Sequence, residues 1–146
     1  MICVIDYGVG NLRSVAGALE WVGCDYCVSS DPARLRAATK LVLPGVGAFA
    51  DGMASLTERG LASEIIAQTK QGKPILGICL GAQLLCRSSR EFGHHAGLGV
   101  LDAAVLPIAT DSSDVRVPHV GWNNLLQTRA SPLLEGIPPE IGRAHV

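Results

Sequence analysis

The sequence predicts an α/β fold of three layers, a mostly parallel sheet flanked by helices, with a small antiparallel addition toward the C-terminal end. Short apolar runs of strand length alternate with stretches of helical periodicity from Ile2 to Leu76. Gly- and Pro-rich punctuation separates them. One apolar run, Pro74-Ile75-Leu76, feeds directly into Gly77-Ile78-Cys79-Leu80-Gly81-Ala82-Gln83, which reads as a strand, a sharp turn and a helix start.

Ile2 to Asp6 is the first strand and Tyr7-Gly8-Val9-Gly10-Asn11 its turn. Leu12, Val15, Ala16, Leu19 and Val22 recur at helical spacing, which predicts an amphipathic helix ending near Gly23. A second strand follows over Tyr26–Ser29, and Asp31-Pro32 has the N-cap-then-proline pattern of a helix start. Leu41-Val42-Leu43 is a third buried strand, stopped by Pro44-Gly45. Helices are expected over Asp51–Glu58 and Leu61–Gln71, with Gly72-Lys73-Pro74 leading into a fourth buried strand. Helices then cover both faces of a parallel sheet, and the site lies at the carboxyl ends of the strands. Beyond Ser88 the pattern changes. Gly97-Leu98-Gly99, Ala103–Leu106, Val115–Val117 and Leu125-Leu126 read as short strands joined by turns, with antiparallel pairing expected.

With 146 residues, 48% of them hydrophobic and 17% charged, the chain has the length and composition to bury a core as one domain. A net charge of −1 without a basic run argues against nucleic acid or an anionic membrane as the main partner. No apolar segment reaches the roughly 18–20 residues of a membrane span. The N-terminus has no basic region followed by a long apolar core, and the five cysteines are an odd number set mostly in apolar stretches. Free thiols in a cytoplasmic, reducing compartment are therefore expected. Cys24-Asp25-Tyr26-Cys27 lacks a second ligand pair and enters a strand, so it is read as structural, with no metal.

Glycines on both sides of Cys79 permit the strained backbone of a nucleophile elbow, which would lift the sulfur to the open end of the sheet. The first N–H groups of the following helix would then face it and could hold an oxyanion. The alternative is a buried core cysteine. Pro44-Gly45-Val46-Gly47 ends the third strand at the same sheet edge, either as a plain turn or as a second source of oxyanion donors. Gly8-Val9-Gly10 lacks the third glycine of a dinucleotide fingerprint. Pro118-His119-Val120-Gly121-Trp122-Asn123 is read as a loop, serving a binding surface or an ordered turn. A cysteine nucleophile needs a base, yet none of His94, His95, His119 and His145 is followed by a well-placed glutamate.

Together these motifs resemble the class I glutamine amidotransferases, through the elbow Gly77–Gln83 and the strand end Pro44-Gly45-Val46-Gly47-Ala48-Phe49. Asp6-Tyr7-Gly8-Val9-Gly10-Asn11-Leu12 and Pro118–Asn123 narrow the resemblance to the glutaminase subunits of imidazole glycerol phosphate synthase, from Met1 to about Pro139. The resemblance implies that Cys79 attacks the side-chain amide of L-glutamine and forms a thioester. Leu80 N–H and the backbone of Gly45, Val46 and Gly47 would hold the oxyanion, and Gln83 would position the substrate. Asn11 and Trp122 would lie at the face that docks a cyclase subunit, a (β/α)8 barrel, in a heterodimer serving histidine biosynthesis. No metal or organic cofactor is implied.

In this family the base belongs to a later His-Pro-Glu motif, which this sequence does not contain. The expectation is a partial amidotransferase domain over 1–139, missing C-terminal strands and two triad members, with little glutaminase turnover of its own. Residues 140–146, Glu-Ile-Gly-Arg-Ala-His-Val, are what GAGATCGGAAGAGCACACGTC encodes, a common sequencing-adapter sequence, and are expected to be a non-native tail. Two other readings stay open: a glutaminase subunit of another amidotransferase, such as that of anthranilate or pyridoxal phosphate synthesis, and a non-catalytic partner-binding module with the same fold.

Overall fold

The computed structural model describes residues 1–108, 120–122, 124, 126–128, 130–138 and 143–145. It divides into two compact units, Met1–Pro107 and Ile108–Val146. The first unit is built on a four-stranded parallel sheet of β1 (Ile2–Ile5), β2 (Tyr26–Ser29), β3 (Lys40–Leu43) and β4 (Ile75–Gly77), in the order β2-β1-β3-β4. The helices between them are α1 (Leu12–Trp21), α2 (Pro32–Ala37), α3 (Phe49–Glu58) and α4 (Leu61–Lys70), followed by the short α5 (Leu80–Leu84). Strands and helices alternate as the sequence predicts, and the parallel pairing is as expected.

The strand order decides where a site can form. The chain steps from β1 to β2 in one direction, then crosses back over β1 to β3 and continues to β4. Right-handed crossovers therefore send α1 to one face of the sheet and α2 to α4 to the other. The packing agrees: α1 contacts β1 and β2, whereas α2 meets α4, and α3 meets both α4 and α5. The loops leaving β1 and β3 diverge to opposite faces, which opens a crevice at the carboxyl ends of those strands.

Val4, Ile5, Leu41 and Leu43 of the central strands are buried, joined by Leu35, Phe49, Leu56, Leu61 and Ile65 from the helices. Asp31 starts α2 as predicted, its carboxylate accepting from Ala33 N–H at 2.8 Å, and Lys73 donates to the carbonyls of Leu35 and Arg36 at the other end. The apolar stripe of α1 is shallower than its periodicity implies. None of its residues is fully buried, and Trp21 and Val22 are exposed.

The addition after α5 departs from expectation. β5 (Cys86–Ser89) pairs antiparallel with β6 (His95–Ala96) but parallel with β7 (Leu101–Val105), so this sheet is mixed. Gly97-Leu98-Gly99 is a connection and not a strand, in which Leu98 plugs the core and its N–H donates to Leu84 O at 2.9 Å. In the second unit, β8 (Val120–Trp122) pairs antiparallel with β9 (Arg143–His145), so the centre of the expected Pro118–Asn123 loop is a strand. Leu126 belongs to no strand, while Val115–Val117, Pro118, His119, Asn123, Leu125 and residues 139–142 and 146 lie outside the described residues.

Candidate active site

Three loops from the carboxyl ends of β1, β3 and β4 meet at one place. β4 ends at Gly77, and Ile78 N–H donates to Leu43 O at 3.0 Å, which locks the elbow to β3. Cys79 then takes φ 54° and ψ −121°, a conformation that disfavours any side chain, and α5 begins at Leu80. Its carbonyl accepts from Ala82 N–H at 2.9 Å and Gln83 N–H at 3.3 Å, so the strained residue starts the helix ladder. The thiol is exposed. The core-cysteine alternative does not fit this geometry.

The flanking glycines are required by contact. A Cβ on Gly81 would lie 1.8 Å from Leu43 O, and one on Gly77 would lie 2.5 Å from Ala82 Cα. No rotamer relieves either clash, because both obstacles are main chain. Removing both side chains lets the helix sit directly on the strands, with its first turn beside β3.

The turn after β3 closes the other side. A Cβ on Gly45 would meet Gly81 N at 2.8 Å and Leu80 Cβ at 2.9 Å, so this turn packs onto the first turn of α5. Val46 is half exposed, and Gly47 has φ 92°, in the left-handed region. By helix geometry the first N–H of α5, that of Leu80, has no intrahelical acceptor. The Gly45 turn thus lies on the helix turn that follows Cys79, and free backbone N–H groups are the kind of donor that stabilises charge on a tetrahedral oxygen. The first loop is the third side: a Cβ on Gly10 would lie 3.6 Å from Gly45 N.

Gln83 sits on α5 four residues after Cys79, half-buried. Asn11 caps α1, its Oδ1 accepting from Ser14 N–H at 3.2 Å. Trp122 lies on β8 in the second unit with its ring largely exposed. His94 and His95 lie at the start of β6, His119 is outside the described residues, and His145 is on β9. Among the described residues no group of His, Cys, Asp and Glu is placed to hold a metal. Also among them, no helix is long and apolar enough to cross a membrane.

Sequence reasoning missed Tyr7. It lies in the turn two residues beyond β1, is fully buried, and directs its hydroxyl at Gly45. Burial, and secondarily the Cys79 thiol, push its pKa up to about 12. An aromatic at the carboxyl end of a central strand was the available signal.

The family model described as glutamine amidotransferase class-I matches residues 3–146. The chain is 47% identical over 141 residues to the imidazole glycerol phosphate synthase subunit HisH of Syntrophotalea carbinolica, covering 94% of this chain and 68% of that protein. It is 50% identical over 140 residues to the subunit of the same name from Geobacillus thermodenitrificans, covering 94% and 66%. The chain thus spans about two thirds of the length of these relatives. A solved glutamine amidotransferase shares the fold, with a TM-score of 0.65 and 23% identity over 77% of this chain and 60% of that one.

Proposed function

Because the chain belongs to the class I glutamine amidotransferases, we propose that its elbow is the glutaminase site of an imidazole glycerol phosphate synthase. Cys79 is the catalytic nucleophile. Its sulfur attacks the side-chain amide carbon of L-glutamine, forming a C–S bond and a tetrahedral oxyanion. Leu80 N–H and the N–H groups of the Gly45-Val46-Gly47 turn hold that oxygen, and Gln83 orients the substrate. Collapse breaks the C–N bond, the thiol proton leaves on ammonia, and water later releases glutamate from the thioester. Ammonia passes to a cyclase subunit of (β/α)8 form, whose docking contacts include Asn11 and, separately, Trp122, in a reducing cytoplasm.

One observation carries this reading: an exposed cysteine at φ 54° between two glycines that admit no side chain, with the Gly45 turn packed against the helix turn that follows it. The relatives' name narrows the synthase to the imidazole glycerol phosphate enzyme. The base that completes the chemistry is assigned to no histidine here.

The test needs no turnover. A chloroketone analogue of glutamine should add once, at Cys79, by intact-mass and peptide analysis, and excess L-glutamine should block it. Immobilised cyclase should retain the chain, and the synthase partners of anthranilate and pyridoxal phosphate formation should not. Retention by cyclase without labelling would favour a non-catalytic docking module instead.

A further inference from the structure

Among the described residues, Tyr7 Oη is a buried side-chain polar atom without a hydrogen-bond partner. Its residue is fixed at both ends. The Tyr7 carbonyl accepts from Ser55 Oγ of α3, while the ring is enclosed by the core. At the far end Oη lies 2.5 Å from where a Cβ on Gly45 would stand, and Gly81 N lies 2.8 Å from the same point. The hydroxyl therefore occupies the space that glycine leaves open between the turn after β3 and the first turn of α5. An unpaired buried hydroxyl is destabilising, and phenylalanine would fill the same volume without that cost. Such a donor, set against the backbone of the proposed site, is available to pair in a state other than the resting one.

We propose that Tyr7 is a positioning residue of the acyl-transfer site, its hydroxyl donating to a peptide oxygen of the Gly45-Val46-Gly47 turn when Cys79 carries a tetrahedral adduct. A carbonyl that accepts a hydrogen bond polarises its own peptide unit, whose N–H then becomes a stronger donor to the oxyanion. The phenol keeps its proton throughout the neutral range, since burial raises its pKa to about 12. This inference rests on the glutaminase reading.

The test compares Cys79 alkylation in the unaltered chain and in Tyr7→Phe. One reagent is the glutamine chloroketone, the other iodoacetamide, which needs no oxyanion site. With the chloroketone, sulfur adds to the ketone carbon to give a tetrahedral alkoxide. Sulfur then displaces chloride at the methylene to form a new C–S bond, its bond to the ketone carbon breaks as the alkoxide re-forms C=O, and the thiol proton passes to solvent. Tyr7→Phe should slow chloroketone labelling about tenfold or more and leave iodoacetamide labelling within about twofold. Its melting temperature should equal or exceed that of the unaltered chain, because the unpaired hydroxyl is gone. Unchanged chloroketone labelling overturns the proposal. Slowing of both reagents with a lower melting temperature also overturns it, by assigning Tyr7 to packing alone. Should the unaltered chain react with iodoacetamide and never with the chloroketone, the glutaminase reading fails, and this inference with it.

Discussion

Cys79 holds a backbone conformation that its own side chain opposes, at φ 54° and ψ −121°. Strain of this kind is worth roughly 1–3 kcal/mol and persists only where the surroundings over-determine it. Here they do, through Ile78 N–H on Leu43 O before the residue and the α5 ladder after it. The strain makes a prediction that is independent of catalysis. Cys79→Gly should be more stable than Cys79→Ala by about 1 kcal/mol in urea unfolding, although glycine normally weakens a fixed backbone by a similar amount. Equal stability, or alanine the more stable, would show that the elbow is relaxed. This part of the site was legible in the sequence because glycine, cysteine and glycine stand at fixed local offsets. Tyr7 was not, since its closeness to Gly45 depends on the register of β1 against β3, which no local pattern encodes.

The same contrast between local and distant causes runs through the elements. β2 and the start of α2 follow from short-range signals, an apolar run and Asp31-Pro32, and their positions match the reading. The start of α3 does not. Ala48 offers no side-chain cap, and Phe49 N–H is instead satisfied by Glu91 Oε2 at 2.6 Å, from the loop between β5 and β6. A helix read from its own residues therefore begins two positions late, at Asp51. β5 went unread for a related reason: Cys86-Arg87-Ser88-Ser89 has no apolar alternation, and its strand form comes from pairing with β6 and β7. Glu91 also brings negative charge to the positive end of α3. Glu91→Ala should cost about 1–2 kcal/mol in urea unfolding, and Glu91→Gln, which keeps an acceptor, less. Alanine within a few tenths of the unaltered chain would mean that the cap adds nothing to stability.

For the molecule as a whole, the consequential feature is the end of the parallel sheet. Among the described residues β4 pairs with β3 alone. Parallel strands are ordinarily covered on both faces, and Pro74-Ile75-Leu76 reads as such a strand, yet Leu76 is 48% exposed. Ile78, at the entry to the elbow, is 39% exposed. An open strand edge next to exposed apolar side chains is a template for pairing with another chain. The pairing groups belong to the segment that carries Cys79, so association there would cover the thiol as well as consume protein. Leu76→Lys places a charge beside the edge while its methylenes still cover part of the same surface. The variant should scatter less light than the unaltered chain at equal high concentration, with unfolding free energy within about 0.5 kcal/mol, as for an ordinary surface change. Its iodoacetamide labelling at Cys79 should become independent of protein concentration, where that of the unaltered chain falls as concentration rises. Unchanged scattering would locate association elsewhere, and a large loss of stability would show that Leu76 packs more tightly than its exposure implies.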